Sequence, residues 1–499
     1  MTGLARSASL ALLGTTLAFV FAGCGRSVAS PRFKRGACPS RLTSLPVFAK
    51  AQCGQLIVPE NRQKPNGKTI SISAAILPSI TQPPRHAPIF YITGGPGGDA
   101  MGDTEFIAPT INQDRDLIVL AQRGTLDATP ALLCPEIDAF NAKAVGLCQQ
   151  CSMTMHVAAT KACHDRLISE GVDLTAYNTL ENINDFLDLR KALKISKYSV
   201  YGQSYGTYVA LTLMRLHPED LESVTIDSVS PPGVVSLGWI WSNVAEGFDN
   251  LFDACAAQPD CAAKYGDVRS KFTSQVQQLE AKPVTVTSHY APDGPPVKVV
   301  LDGGALVNWL VAGGAATFKA APSAIQELVN DNPVQIAAAR AAIANPATPS
   351  TQAYGLTFGV FCSEWIPFEP QSEILAKGLI AFPTYPPSVL SQAPQLPFQT
   401  EDCGVWKVPK ATDSIRDVTT SSIPTLVLVG TFDAKTSPKW SKYAAKTLPN
   451  STLVIIPGIG HFVTPQSPCA QRIVKAFLEN PTTPPDTSCV AGLSPGAFN

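Results

Sequence analysis

Short apolar runs alternate with segments of helical periodicity along much of the chain, from about residue 53 to 230 and again from 425 to 456. Apolar runs bounded by glycine, proline and polar turns predict buried strands. The predicted strands are Gln55–Val58, Ile70–Ile76, Ile89–Ile92, Leu117–Leu120, Tyr198–Tyr201, Val224–Ile226, Thr425–Val429 and Thr452–Ile456. Helices are predicted at 179–193, 207–216 and 438–447, with Thr179 capping the first. This alternation predicts an α/β fold, a mostly parallel sheet covered by helices on both faces.

The alternation stops between residues 233 and 410, where proline clusters and glycine-rich patches separate helical segments around Val244–Ala256 and Ala320–Ala344. A sheet that is interrupted by an insertion and then completed places the insertion over the carboxyl ends of its strands, where open α/β sheets bind ligands. We therefore predict a sheet domain over 38–232 and 411–490, with a large, mainly helical cap over 233–410.

The first 30 residues have the features of an export signal, with Arg6 before the uncharged apolar stretch 10–22. Two cleavage sites remain open. Phe21-Ala22-Gly23-Cys24 resembles a bacterial lipobox, in which Cys24 would carry a lipid, and Ser27-Val28-Ala29 suits ordinary signal peptidase. The sequence predicts an exported bacterial protein that is secreted, periplasmic or lipid-anchored at the cell envelope, with a lipid as its only membrane contact.

The number of cysteines also indicates export. The chain has thirteen cysteines, and removal of Cys24 with the signal would leave an even twelve, which can all pair. Such a set predicts disulfides, with Cys255 and Cys261 as one pair and the remaining connectivity open. Cys148-Gln-Gln-Cys151 has the spacing of a redox or zinc motif, but no second pair or nearby histidine pair completes a zinc site. No metal site is predicted.

The net charge of the chain and the distribution of its basic residues bear on whether it binds nucleic acid. The formal net charge is −1, charged residues make up 15% of the chain, and no block of basic residues occurs. A nucleic-acid partner has no electrostatic support, and the 45% of hydrophobic residues allows a large packed core.

The strongest motif is Gly202-Gln203-Ser204-Tyr205-Gly206, which follows one predicted strand and precedes a predicted helix. This is the context of a nucleophile elbow, a strained turn that exposes a serine hydroxyl at the end of a strand. Ser204 is therefore the predicted nucleophile.

A serine nucleophile needs a histidine as base and an acid that orients the histidine. In this fold the acid follows the serine in sequence, and the histidine follows the acid. His461 lies in a glycine-rich loop directly after the last predicted strand. Asp433 ends the turn after the preceding strand and is the predicted acid, with Asp227 as its competitor. The sequence predicts a Ser204–Asp433–His461 triad.

Acyl transfer also needs donors for the oxyanion. The backbone N–H of Tyr205 supplies one, and the loop Thr93-Gly94-Gly95-Pro96-Gly97-Gly98 supplies the second through Gly94 or Gly95. A phosphate-binding role for this loop lacks the GxxxxGK[ST] pattern. The chemistry requires no cofactor.

Several motifs, in this order, resemble the α/β-hydrolase family of prolyl aminopeptidases and secreted tripeptidyl aminopeptidase-like serine peptidases. They are the glycine loop at 94–98 (HGGPG in the family), Gln122-Arg123-Gly124-Thr125 (DQRGTG), Gly202–Thr207 (GxSYGT) and Cys362-Ser363-Glu364-Trp365 (C-x-[DE]). The chain departs from the family at Thr93, Ala121 and Leu126, and none of these departures removes a group needed for acyl transfer.

This resemblance implies an α/β-hydrolase fold with a cap and the release of residues from peptide amino termini. An aminopeptidase needs an acidic group to hold the ammonium of its substrate, and Glu364, beside Cys362, is the first prediction, with Glu369 as the second. An esterase or lipase with the same triad, acting on a small ester, is the alternative. A non-catalytic binding protein is disfavoured by the intact triad. The oligomeric state stays open.

Overall fold

The computed structural model describes residues 1–3, 30–64, 66–234, 237–391 and 400–499. The predicted export signal with Cys24 lies outside these residues. Within the described ranges, no helix is both long and apolar enough to cross a membrane.

Twelve strands occur in the described residues, ten of them in one sheet. They are β1 (Arg32–Gly36), β2 (Gln52–Pro59), β3 (Thr69–Leu77), β4 (Ile89–Ile92), β5 (Leu117–Leu120), β6 (Ala128–Thr129), β7 (Tyr198–Gln203), β8 (Leu221–Asp227), β9 (Val284–His289), β10 (Pro296–Leu301), β11 (Thr425–Gly430) and β12 (Ser451–Ile456). The order across the large sheet is β1-β2-β3-β5-β4-β7-β8-β11-β12, with β6 paired to β3. All pairs from β5 to β12 are parallel, and those among β1, β2, β3 and β5 are antiparallel.

The helices of the described residues are α1 (Ala100–Ile111), α2 (Pro135–Ala144), α3 (Gln149–Ser169), α4 (Thr179–Ala192), α5 (Tyr205–Leu216), α6 (Leu237–Ala256), α7 (Pro259–Tyr265), α8 (Val268–Ala281), α9 (Gly303–Ala312), α10 (Gly314–Val329), α11 (Val334–Ile343), α12 (Tyr354–Val360), α13 (Gln371–Ala381), α14 (Pro387–Leu390), α15 (Thr400–Trp406), α16 (Pro438–Ala445) and α17 (Pro468–Glu479). A π-helical turn, Phe361–Trp365, continues α12.

Helices cover both faces of the parallel part of the sheet. The crossover from β4 to β5 runs in the opposite direction from those that lead to β7, β8 and β12. Right-handed crossovers therefore place α1 on one face, with α17 against it, and α4, α5 and α16 on the other. Because both faces are covered, every residue of β4, β5 and β11 is buried. This confirms the predicted α/β-hydrolase fold.

Ten helices, α6 to α15, and the β9–β10 hairpin lie between β8 and β11 in the described part of the chain. Two further helices, α2 and α3, lie between β6 and α4 in the chain. α3 packs against α15 of the insertion. This insertion therefore packs against a second helical segment, α2 and α3, that the alternation pattern did not reveal.

The segment predicted as helical around Ala320–Ala344 is helical over most of its length, but it is not a single helix. The structure divides it into α10 and α11, because Asp331 takes a positive φ of 59° and Pro333 precedes the second helix. Proline has no N–H for a helix interior and disfavours helical backbone in the residue before it.

The predicted capping role of Thr179 is also wrong. Asn178 is the N-cap of α4, and its side chain accepts a hydrogen bond from Glu181 N at 3.0 Å. Thr179 is the first helical residue, and its hydroxyl points to Glu364 instead.

Six disulfides join the twelve cysteines of the described residues, and they include the predicted pair Cys255–Cys261. The others are Cys38–Cys53, Cys134–Cys163, Cys148–Cys151, Cys362–Cys403 and Cys469–Cys489. Cys148 and Cys151 are thus bonded to each other at the start of α3, which leaves neither sulfur free as a thiolate ligand.

Candidate active site

Ser204 lies between the end of β7 and the start of α5, on a backbone with φ 54° and ψ −120°. Positive φ is unfavourable for a residue with a side chain, so the turn is strained. Two glycines allow it: a β-carbon on Gly202 would lie 2.5 Å from Gly206 O, and one on Gly206 would lie 2.0 Å from Ile92 O. The local sequence thus forms the tight strand–turn–helix that was predicted for a nucleophile elbow.

The glycine-rich loop after β4 lies against this turn. A β-carbon on Gly94 would lie 2.8 Å from Ser204 Cβ and 3.3 Å from Ser204 Oγ. Gly95 and Gly97 have positive φ values of 112° and 95°, which only glycine adopts readily. The backbone of Gly94 is therefore adjacent to Ser204, and Gly95 follows it on the same loop.

Asp433 and His461 meet above the ends of β11 and β12. His461 Nδ1 lies 2.8 Å from Asp433 Oδ2, and the carboxylate is fully buried while 19% of the imidazole is exposed. Within the described residues, Ser204 Oγ makes no hydrogen bond to His461. Such contacts are often long before a substrate binds. The structure brings the predicted acid and base together, and leaves the imidazole accessible.

Three donors besides His461 hold the Asp433 carboxylate. Lys435 N and Thr436 N donate to Oδ1 at 2.9 and 2.8 Å, and Thr436 Oγ1 donates to Oδ2 at 2.8 Å. Burial disfavours the charge, but the cationic form of His461 and these hydrogen bonds outweigh it and lower the pKa of Asp433 to about 2. Asp433 is ionised at neutral pH and fixes the imidazole with Nδ1–H facing it.

Asp227, the competitor for the acid, has a different set of contacts. Its carboxylate accepts hydrogen bonds from Val463 N at 2.9 Å and Thr464 N at 3.0 Å, two and three residues after His461. Its backbone carbonyl accepts Ser204 N at 3.0 Å. Asp227 therefore holds the backbone of both the nucleophile turn and the histidine loop, rather than the imidazole.

Glu364 is buried under the nucleophile turn, with only 1% of the residue exposed. Oε1 accepts Thr179 N at 2.8 Å, and Oε2 accepts Thr179 Oγ1 at 2.7 Å. The Thr179 hydroxyl in turn lies 2.8 Å from the Tyr205 hydroxyl. Burial raises the pKa of Glu364 to about 7, against the opposing effect of these hydrogen bonds. A role in binding a substrate ammonium stays a prediction, and these contacts favour a structural one.

Glu369, the second predicted ammonium-binding residue, is 7% exposed; it lies just before α13 and faces the start of α6. It accepts Gly238 N at 2.8 Å and forms an ion pair with Lys377. Both oxygens therefore already have a donor.

The family-like motifs around the glycine loop have structural contacts. Thr93, in the position of the family histidine, donates its hydroxyl to Asp103. Gln122 Nε2 donates to Thr93 O at 3.0 Å, which ties the second motif to the first. Arg123 is fully buried and forms a bidentate pair with Asp185, with both N···O distances 2.7 Å. Thr93 and Gln122 therefore fix the start of the loop, whereas Arg123 bonds to Asp185 on α4.

Sequence reasoning missed Thr436, whose Oγ1 lies 3.1 Å from His461 Nδ1 as well as bonding Asp433. A threonine three residues after an aspartate in a strand-end turn was the available indication, because such side chains bond back to the turn. The anchoring role of Asp227 had no comparable local indication.

Comparison with known proteins gives a partial match. Residues 393–489 match the family described as TAP-like protein. A tripeptidyl aminopeptidase of Streptomyces lividans is 25% identical over 253 residues, which cover 46% of this chain and 45% of that protein. Serine protease Hip1 of Mycobacterium tuberculosis is 24% identical over 270 residues, covering 50% of this chain and 51% of that protein. The chain thus spans about half the length of these curated relatives.

Among solved structures, the alignment with a proline iminopeptidase of Mycobacterium smegmatis covers 86% of this chain and 98% of the iminopeptidase chain. The TM-score is 0.38 and the sequence identity 14%. The family match and the two curated relatives confirm the predicted resemblance to tripeptidyl aminopeptidase-like α/β hydrolases.

Proposed function

We propose that this chain is an exported bacterial serine peptidase that releases residues from the amino ends of peptides. Ser204 is the nucleophile, His461 the base and Asp433 the acid. The observation that carries the proposal is the meeting of a buried, ionised Asp433 with an accessible His461 at 2.8 Å, beside a strained Ser204 elbow.

The reaction follows from these positions. Ser204 Oγ attacks the scissile carbonyl as its proton passes to His461 Nε2, and the negative oxygen is held by the N–H of Tyr205 and of the Gly94–Gly95 loop. His461 then gives the proton to the leaving amine, and the acyl group stays on Ser204 Oγ. Water, deprotonated by His461, attacks this ester, and the acid product leaves with Ser204 restored.

Peptide substrates and an aminopeptidase activity are supported by the resemblance to the Streptomyces lividans tripeptidyl aminopeptidase and to the Hip1 protease. Export is supported by the amino-terminal pattern and by six disulfides, which persist in oxidising compartments. The lipid anchor at Cys24 remains one of two alternatives.

An esterase is the second candidate, and one observation favours it. Glu364 and Glu369 accept protein hydrogen bonds and are only 1% and 7% exposed, so the structure leaves neither accessible to a substrate ammonium. An esterase would need no such receptor, because its leaving group and its substrate carry no amine.

The experiment compares the mature protein with Ser204→Ala on a matched panel. The panel contains aminoacyl, prolyl and tripeptidyl anilides with free or blocked amino termini, and short acyl esters. Ser169→Ala is the control variant, because Ser169 is an exposed helix residue whose hydroxyl donates to Arg166 O in its own helix.

Anilide cleavage that requires Ser204 and a free terminus supports the aminopeptidase. If only esters are cleaved, and cleavage still depends on Ser204, the protein is an esterase rather than an aminopeptidase. Turnover that survives Ser204→Ala contradicts the serine mechanism.

A further inference from the structure

One segment of the cap, Gln352–Trp365, bonds directly to the glycine-rich loop and, through Thr179, to the side chain of Tyr205, and we call it the cap brace. Its first end touches the glycine loop. Thr357 Oγ1 donates to Pro96 O at 2.6 Å, and Ala353 N donates to Gly97 O at 2.9 Å. Gln352 Nε2 also donates to Pro96 O. Two successive carbonyls of the loop are therefore fixed in direction by the cap.

The other end of the cap brace reaches the nucleophile turn through Glu364. Above its pKa of about 7 the Glu364 carboxylate is ionised, and it then accepts both the N–H and the hydroxyl proton of Thr179. Since the Thr179 hydroxyl has only one proton, the Tyr205 hydroxyl, 2.8 Å away, must donate its own to Thr179 Oγ1. Two hydrogen bonds thus connect the cap brace to Tyr205, whose backbone N–H is the other predicted oxyanion donor.

The cap brace is closely packed between these two contacts. Every residue of α12 is buried, and Cys362 in its π-helical turn is bonded to Cys403. A β-carbon on Gly355 would lie 2.5 Å from Leu132 Cβ, and one on Gly359 would lie 2.1 Å from Tyr177 O. The segment cannot shift toward the sheet domain without a clash, so it has the rigidity that a positioning element needs.

We propose that the cap brace sets the spacing between the two oxyanion donors, so that the cap positions the catalytic backbone as well as covering it. Thr357 and Glu364 are its positioning residues. This inference rests on the proposed serine mechanism. Donors aimed at a developing oxyanion act only at the right distance, and small displacements reduce turnover rather than substrate binding.

The first test is Thr357→Val, which removes the hydroxyl and keeps the shape. Removing an oxyanion donor costs about 10²–10³ in kcat, so displacing one should lower kcat roughly tenfold with KM unchanged. Thr357→Ser should restore most of the rate. Thr160→Val is the matched control, because Thr160 is also fully buried and donates to a buried carboxylate, Asp402, at 2.8 Å.

The second test is Glu364→Gln, alone and combined with Thr357→Val. At pH 8 the glutamine variant removes a buried charge, so it should be at least as stable as the unaltered protein and still turn over more slowly. Because both residues act through one rigid segment, the combined loss in kcat should be smaller than the product of the two single losses.

The proposal is overturned if Thr357→Val keeps full kcat, or if Thr160→Val lowers kcat equally. Should Thr357→Val fail to fold, Gln352→Ala gives the answer, since this half-buried residue donates to the same Pro96 carbonyl. An unchanged kcat in that variant also overturns it. Each variant is assayed beside Ser204→Ala, and activity retained there rejects the serine mechanism itself, a different outcome.

Discussion

Two buried carboxyl groups, one at the strand ends and one in the cap, differ in the donors around them. Asp433 accepts two backbone N–H groups, a hydroxyl and the imidazole of His461, and these lower its pKa to about 2. Glu364 has the N–H and hydroxyl of Thr179 and, among the described residues, no cationic partner, and burial raises its pKa to about 7. Burial alone therefore does not decide the charge of a carboxyl; the donors and the cationic partner do.

The largest effect is expected at Asp433. Asp433→Asn keeps the size of the side chain but loses the charge that stabilises the imidazolium, and an amide in this position favours the wrong tautomer of His461. In serine proteases this substitution lowers kcat about 10⁴-fold, and we expect a loss of 10³–10⁴ here. Steady-state kinetics on an anilide that Ser204 cleaves measures it.

Asp227→Asn is the matched control on the adjacent strand. Its amide would turn an N–H toward Val463 N or Thr464 N and leave a buried donor unpaired, at a cost of about 1–3 kcal/mol in the free energy of unfolding. We expect it to lower the melting temperature with a much smaller change in kcat. Equal kcat losses in the two variants would contradict the assignment of Asp433 as the acid.

The sheet was predictable because its central strands are buried on both faces and read as continuous apolar runs. β4 and β5 have the predicted bounds, and β7, β8, β11 and β12 differ from them by one to three residues at an end. The positions of Ser204, Asp433 and His461 follow from those strand ends, since each lies within a few residues of one.

The cap contacts could not be predicted in this way. Glu364 and Thr179 are 185 residues apart in sequence, and no local periodicity connects them. Local sequence rules predict Thr179 as a helix cap. In the structure its hydroxyl instead donates to the buried carboxyl group of Glu364, from a distant segment of the chain. Tertiary contacts of this kind override local propensity.

The second-largest effect is expected from Glu364, on the free energy of unfolding and its dependence on pH. A folded pKa of about 7 lies above the usual value of 4.5, so the neutral acid stabilises the fold below pH 4.5 and this contribution is lost as the pH rises to 7. Relative to Glu364→Gln, the unaltered protein should lose about 3 kcal/mol of unfolding free energy across that window.

Urea denaturation at several pH values measures this difference, with Glu105→Gln, an exposed substitution on α1, as the control. Parallel pH curves for the unaltered protein and Glu364→Gln would mean that the pKa of Glu364 is the same in the folded and unfolded protein, which would contradict the raised value and the contrast with Asp433.

A smaller effect is expected from Thr436→Val. The hydroxyl bonds Asp433 Oδ2 at 2.8 Å and lies 3.1 Å from His461 Nδ1, so its loss should loosen the acid and base without removing either. We expect kcat to fall about tenfold, which corresponds to one hydrogen bond to a charged group. Thr447→Val is the control, because it removes a half-buried threonine hydrogen bond to Thr419 O on the same carboxy-terminal segment. A similar kcat in both variants would reduce Thr436 to a packing residue.

The smallest effect is expected at Glu369. Because its carboxylate already pairs with Lys377 and accepts Gly238 N, Glu369→Gln should change KM for free-terminus anilides less than twofold and cost about 1 kcal/mol of stability. Glu373→Gln is the control, since Glu373 pairs with the same lysine at 3.4 Å from an exposed position. A tenfold rise in KM for free but not blocked termini, seen only with Glu369→Gln, would instead show that a substrate ammonium displaces Lys377. That result would identify a cap carboxylate whose charge is available to the substrate, unlike the enclosed Glu364.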